Sequence, residues 1–152
     1  MWDIRKFQGS KSKAVPKPVA TQQVGLSISS SYFSPSGGSL LSTSFANKID
    51  LVDNAHKMKG TMKPTKSIQH NNQTGRWLST FMPCWHPKQD IFVSGSMKKP
   101  RCIEVFDHKG KLLREVTGDS LTAVASRCCF HPSTEKSILI GGNSSGRVVA
   151  LR

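Results

Sequence analysis

The sequence predicts an all-β chain built by repeating one four-stranded unit, and three observations carry that reading. An aromatic residue, then Ser or His, then Pro recurs as Phe33-Ser-Pro, Trp85-His-Pro and Phe130-His-Pro. The prolines of this motif, Pro35, Pro87 and Pro132, stand 52 and 45 residues apart. The same features follow each of them: a turn, a run of β-branched and small residues, a second turn, and an alternating apolar run ending at Asp53, Asp107 or Arg152.

Each element of the unit has a physical reason. Proline cannot donate to a ladder, so Pro35, Pro87 and Pro132 mark strand ends, and the residue before each is pushed towards extended backbone. The runs Leu40-Leu-Ser-Thr-Ser-Phe, Ile91-Phe-Val-Ser-Gly-Ser and Ser137-Ile-Leu-Ile-Gly-Gly combine β-branched and aromatic residues with Ser and Gly. That mixture suits a strand buried on both faces where backbones approach closely. Asn143-Ser-Ser-Gly146 reads as a tight reverse turn into the next strand. A run before each motif (25–34, 78–86 and 121–131) supplies a first strand, and 111–117 supplies an outer one. Four strands in each repeat of 45 to 52 residues make the blade of a β-propeller.

Trp2-Asp3-Ile4-Arg5 fits the same frame as the end of an earlier blade's third strand, and this Trp-Asp pair gives the WD repeat its name. Val52-Asp53, Phe106-Asp107 and Leu151-Arg152 hold that place in the copies that follow. The expected division is 1–5 as the end of a preceding blade, 6–53, 54–107 and 108–152 as three blades of one incomplete propeller domain. Propellers close with four to eight blades, and at about 48 residues per blade a seven-bladed ring needs roughly twice this chain. The expectation is therefore a partial WD-repeat β-propeller, three four-stranded blades of a seven-bladed ring. Its end blades would expose apolar faces and strand edges that closure buries.

Composition points to the partner. Twenty-two Lys and Arg against 9 Asp and Glu leave a formal charge of +13, which favours a polyanion such as nucleic acid. No run approaches the roughly 18 apolar residues that a membrane-spanning helix needs, and no apolar leader segment opens the chain, so no membrane partner is expected. Four cysteines (Cys84, Cys102, Cys128 and Cys129) do not form a disulfide framework, which fits a reducing compartment.

Catalysis has no support. No Ser/His/Asp or Cys/His set occurs in the context that its chemistry requires, and no GxxxxGK[ST] loop is present. Acids such as Asp53, Asp90 and Asp107 stand at turn positions. Cys128-Cys129-Phe130-His131 lies inside a strand, where neighbours point to opposite faces and cannot share one metal ion. Cys84 precedes His86 as Cys129 precedes His131, so repeat symmetry accounts for the pattern and the histidines are expected to brace turns. Neither metal nor cofactor is expected, and the chain reads as non-enzymatic.

Two kinds of segment are candidates for binding. The loop His70-Asn-Asn-Gln-Thr-Gly-Arg-Trp77 joins an outer strand to the first strand of the next blade, which places it on a rim of the ring. Gly75 permits a turn with φ > 0, Arg76 can reach a phosphate or base edge, Trp77 offers a stacking plane, and His70 and Gln73 lie beside them. Against this stands the alternative that Trp77 caps the core beside Phe81. Basic residues cluster at 5–17 (Arg5, Lys6, Lys11, Lys13, Lys17) and at 56–66 (Lys57, Lys59, Lys63, Lys66), each stretch free of acids. Both are inter-blade connections, and with Lys98, Lys99 and Arg101 they could line one phosphate path; solvated flexible loops are the alternative.

The block 72–152 resembles the family of WD repeat-containing protein 76, nuclear WD-repeat proteins related to damage-specific DNA-binding protein 2. The strings that carry the resemblance are Thr74-Gly-Arg-Trp-Leu78, Trp85-His-Pro-Lys-Gln89, Val93-Ser-Gly-Ser-Met97 and Gly141-Gly-Asn-Ser-Ser-Gly146. Over 10–66 the likeness is only that of one blade to another. The resemblance implies the C-terminal part of a seven-bladed ring, a place in the nucleus, binding to damaged or modified duplex DNA, and attachment to a cullin-RING ubiquitin ligase. It also implies that Trp2, Asp3 and Arg5, which match the WDxR signature, dock on the ligase adaptor, with the Arg facing the adaptor; the alternative is an ordinary blade end. The damage reader carries a wedge hairpin of different residues at the place of the 70–77 loop, so only the position transfers. A competing class is a scaffold for chromatin proteins, whose basic loops meet acidic partners without reading DNA.

Overall fold

The computed structural model of the chain describes residues 17–133 and 138–152. Among these residues the structure is all-β, apart from one 3-10 turn at Ala55–Lys57. A short strand, β1 (Ala20–Thr21), pairs in parallel with β5 (Gly60–Thr61). The first full sheet is antiparallel and runs β2 (Ile28–Phe33), β3 (Ser39–Ser44), β4 (Lys48–Asp53) and β6 (Lys66–Gln69) in that spatial order. The second runs from β7 (Cys84–Trp85) through β8 (Ile91–Gly95) and β9 (Ile103–Asp107) to β10 (Leu112–Val116). The third holds β11 (Arg127–Phe130), β12 (Leu139–Gly142) and β13 (Val148–Leu151). These are meandering sheets of the kind a partial WD-repeat propeller stacks side by side. Each complete sheet takes its fourth strand, β6 or β10, from beyond Asp53 or Asp107, so the hydrogen-bonded sheets are offset from the sequence repeat.

Apolar residues fill the spaces between sheets. Leu41, Ile49 and Leu51 of the first sheet meet Trp85, Phe92 and Phe106 of the second. Phe92 stacks on Phe106 with ring centres 5.1 Å apart, and Trp85 meets Phe92 edge-on at 5.2 Å. On the other side of the second sheet, Val93 and Ile103 pack with Leu121, Ala125, Leu139 and Val149. The outer side of the first sheet is covered by its own chain: Ala20, Ala55 and Met62 close over Val52.

Small residues set how closely the sheets approach. A Cβ at Gly95 would overlap the carbonyl oxygen of Ala125, and one at Gly141 would lie 3.0 Å from Ile103 Cδ1. The proline motifs end strands in turns of one kind. His86 Nδ1 accepts from Lys88 N at 3.2 Å and Gln89 N at 3.1 Å, and His131 Nδ1 accepts from Ser133 N at 3.0 Å. In the first copy Ser34 Oγ instead accepts from the amide that opens β3, Ser39 N, at 3.1 Å. Burial lowers the His86 pKa, in keeping with a neutral ring that accepts.

Candidate nucleic-acid interface

Antiparallel alternation divides the connections between two rims. The β3–β4 turn, the 70–83 segment and the β8–β9 loop lie on one, here the upper rim. The β2–β3 and β7–β8 turns and the connection from β4 to β6 lie on the other, tied together by Ala55 N donating to Gly38 O and Ser36 Oγ donating to Asp90 at 2.7 Å. A six-residue strand spans about 20 Å, which is the separation of the rims.

The upper-rim loop is built from its buried base outward. Asn47, at φ +57 in the β3–β4 turn, presents its carbonyl to His70 N (3.0 Å) and its side-chain oxygen to Asn72 N (3.0 Å). Asn72 Nδ2 donates to Ser44 O at 2.8 Å and Lys48 O at 3.0 Å, which fixes the amide so that Oδ1 faces His70 Nδ1 at 2.6 Å. His70 Nε2 lies 2.9 Å from Gly95 O and 3.4 Å from Glu104, so each ring nitrogen faces an oxygen of the surrounding strands and loop. The ring also meets Phe81 edge-on at 5.1 Å. Gln73 Nε2 donates to Phe45 O at 2.7 Å, and Thr74 N closes on Asn72 O. Gly75, at φ +62, then turns the chain outward.

Beyond Gly75 the side chains stand in solvent. Arg76 is exposed, and Trp77 is 84% exposed while Phe81 is buried. Trp77 therefore does not cap the core; Phe81, held between His70 and Gly95 of β8, does that. A large aromatic plane left in water above a polar, rigid base is able to stack on a nucleobase.

The remaining candidates separate. Lys98 Nζ lies 2.6 Å from both Glu104 and Glu115, which hold its pKa above the ordinary lysine range. Burial would push the Glu104 carboxyl up, but His70 and Lys98 outweigh that and hold it below its usual value. Lys98 is thus a brace between strands. Arg101 turns back on its own loop, donating to Met97 O at 2.8 Å, whereas Lys99 is exposed. His70, buried at 6% exposure, supports the loop from beneath. Lys57 and Lys59 are exposed on the lower rim, so the structure does not join them with Lys98, Lys99 and Arg101 in one path. Trp2, Asp3 and Arg5 lie outside the described residues.

Sequence reasoning missed the residues that build the base: Asn47, Asn72 and Glu104. An Asn between two strand-like runs was a readable signal for Asn47, because Asn tolerates positive φ. Arg147 was also missed; it reaches Thr122 Oγ1 at 3.2 Å from the β12–β13 turn on the upper rim.

No protein-family model matches the chain. The chain is 37% identical over 139 residues to WD repeat-containing protein 76 of Mus musculus, covering 91% of the chain and 22% of that protein. Against its Xenopus laevis counterpart it is 37% identical over 150 residues, 97% of the chain and 25% of the relative. DNA damage-binding protein CMR1 of Chaetomium globosum is 34% identical over 161 residues, 97% of the chain and 30% of the relative. The chain spans about a quarter of the length of these curated relatives.

Proposed function

The chain is homologous over nearly its whole length to a segment of WD repeat-containing protein 76 and of the CMR1 proteins, and from that premise we propose that it is part of a nuclear propeller that binds damaged or modified duplex DNA. The observation that carries this reading is Trp77, exposed beside Arg76 on a loop whose base is fixed by His70 and Asn72. An indole in this position replaces lost stacking where a base step is weakened, and Arg76 and Lys99 meet the flanking phosphates. The name of the CMR1 relatives supports DNA as the ligand. The chain acts by binding and not by catalysis. Docking of Trp2, Asp3 and Arg5 on a cullin-RING ligase adaptor belongs to the same proposal, which makes the propeller a substrate receptor. The test is a salt series of binding between the chain and a lesion-bearing or hydroxymethylated duplex, with an unmodified duplex of the same sequence beside it. Tighter, salt-dependent binding to the altered duplex is expected; equal and weak binding of both duplexes would overturn the proposal.

A further inference from the structure

The outer hairpin of the second sheet offers a surface unrelated to the upper rim. Its turn is firmly seated: Gly110 has φ +75, and a Cβ there would lie 3.0 Å from Lys66 Cγ and 3.1 Å from Ile68 Cδ1 and Leu51 Cδ1 of the first sheet. Asp107 Oδ1 closes the turn by accepting from Lys109 N at 2.9 Å and Lys111 N at 2.8 Å. The ladder then pairs Leu112 with Phe106 and Arg114 with Val105, which leaves Leu113 as the extra residue of a bulge. Bulges re-aim side chains, and here both leucines point into solvent, Leu112 at 40% and Leu113 at 51% exposure.

Three features meet on this strand. Exposed Lys109, Lys111 and Arg114 flank the leucine pair, with exposed Lys66 beneath the turn. The two nearest acids are engaged elsewhere, Asp107 in the turn and Glu115 on Lys98. β10 is also the outermost strand of its sheet, so among the described residues the backbone groups on its far side have no ladder partner. A phosphate backbone would match the cations but gain nothing from the leucines. A lipid surface would match both but leave the edge backbone groups unsatisfied. An extended peptide satisfies all three.

We propose that the outer edge of β10 receives an extended segment of another protein in which acidic and apolar residues alternate, the apolar ones covering Leu112 and Leu113 and the acids meeting Lys109, Lys111 and Arg114. The test uses the full chain and a short labelled peptide of alternating Glu and Leu, compared with oligo-glutamate of equal charge, a short duplex, and vesicles containing phosphatidylserine. The alternating peptide should bind about tenfold more tightly than oligo-glutamate. The double variant L112Q/L113Q, at exposed positions and expected to keep the circular dichroism spectrum of the unaltered chain, should remove that margin, and N-methylation of alternate peptide amides should weaken binding similarly. The R76A/W77A variant should bind the peptide as the unaltered chain does. Equal binding of oligo-glutamate, a preference for duplex or vesicles, or full binding by L112Q/L113Q would overturn the proposal.

Discussion

Asn72 and His70 are joined by a contact of 2.6 Å between Oδ1 and Nδ1, and the same Asn72 amide caps two backbone carbonyls of the first sheet. One buried amide therefore connects the loop to both the strands before it and the ring beside it. Asn72→Ala leaves these groups without partners and should cost about 1–3 kcal/mol. Asn72→Asp should not rescue the loss, since it turns an anionic oxygen towards the Ser44 and Lys48 carbonyls. Urea denaturation of the two variants is the check, and a neutral effect for either would contradict the arrangement.

Trp77 and Phe81 should behave as opposites. Trp77→Ala, at an exposed position, should change stability by no more than about 0.5 kcal/mol. Phe81→Ala empties a fully buried site and should cost about 3–5 kcal/mol. Thermal melts of both variants measure the difference.

The repeat, the strands and the turn histidines were legible because proline, β-branched runs and small residues act locally. The rim position of the 70–77 loop was legible from strand order. What single-residue reasoning could not reach was long-range pairing: Lys98 looks like a free cation until Glu104 and Glu115 are folded against it. Lys57 and Lys59 look like neighbours of Lys98 until strand direction assigns them to the opposite rim.

Sheet spacing depends on one glycine more than another. Gly95→Ala forces a methyl group into the Ala125 carbonyl, whereas a Cβ at Gly142 would meet nothing nearer than Arg127 O at 3.9 Å. Gly95→Ala should therefore lower the melting temperature well beyond Gly142→Ala. Equal melting temperatures would show that the connection before β11 does not approach β8 this closely.

Acid should loosen the base of the loop. The Glu104 pKa is lower in the folded chain than the unfolded value of about 4.3, so its contribution is complete above that value and is lost as pH falls through the folded pKa. The stability difference between the unaltered chain and Glu104→Gln should be steady near neutrality and shrink below about pH 4. A difference that instead grew on acidification would mean that Glu104 is not held as an anion.

The most direct test of the central claim is duplex binding by R76A/W77A set beside K57A/K59A, both measured across a salt series on the same lesion-bearing duplex. At least a tenfold loss is expected for R76A/W77A, from stacking worth about 1–3 kcal/mol and one lost phosphate contact, with K57A/K59A close to the unaltered chain. Full binding by R76A/W77A, or a larger loss in K57A/K59A, would place the DNA on the other rim and contradict that claim.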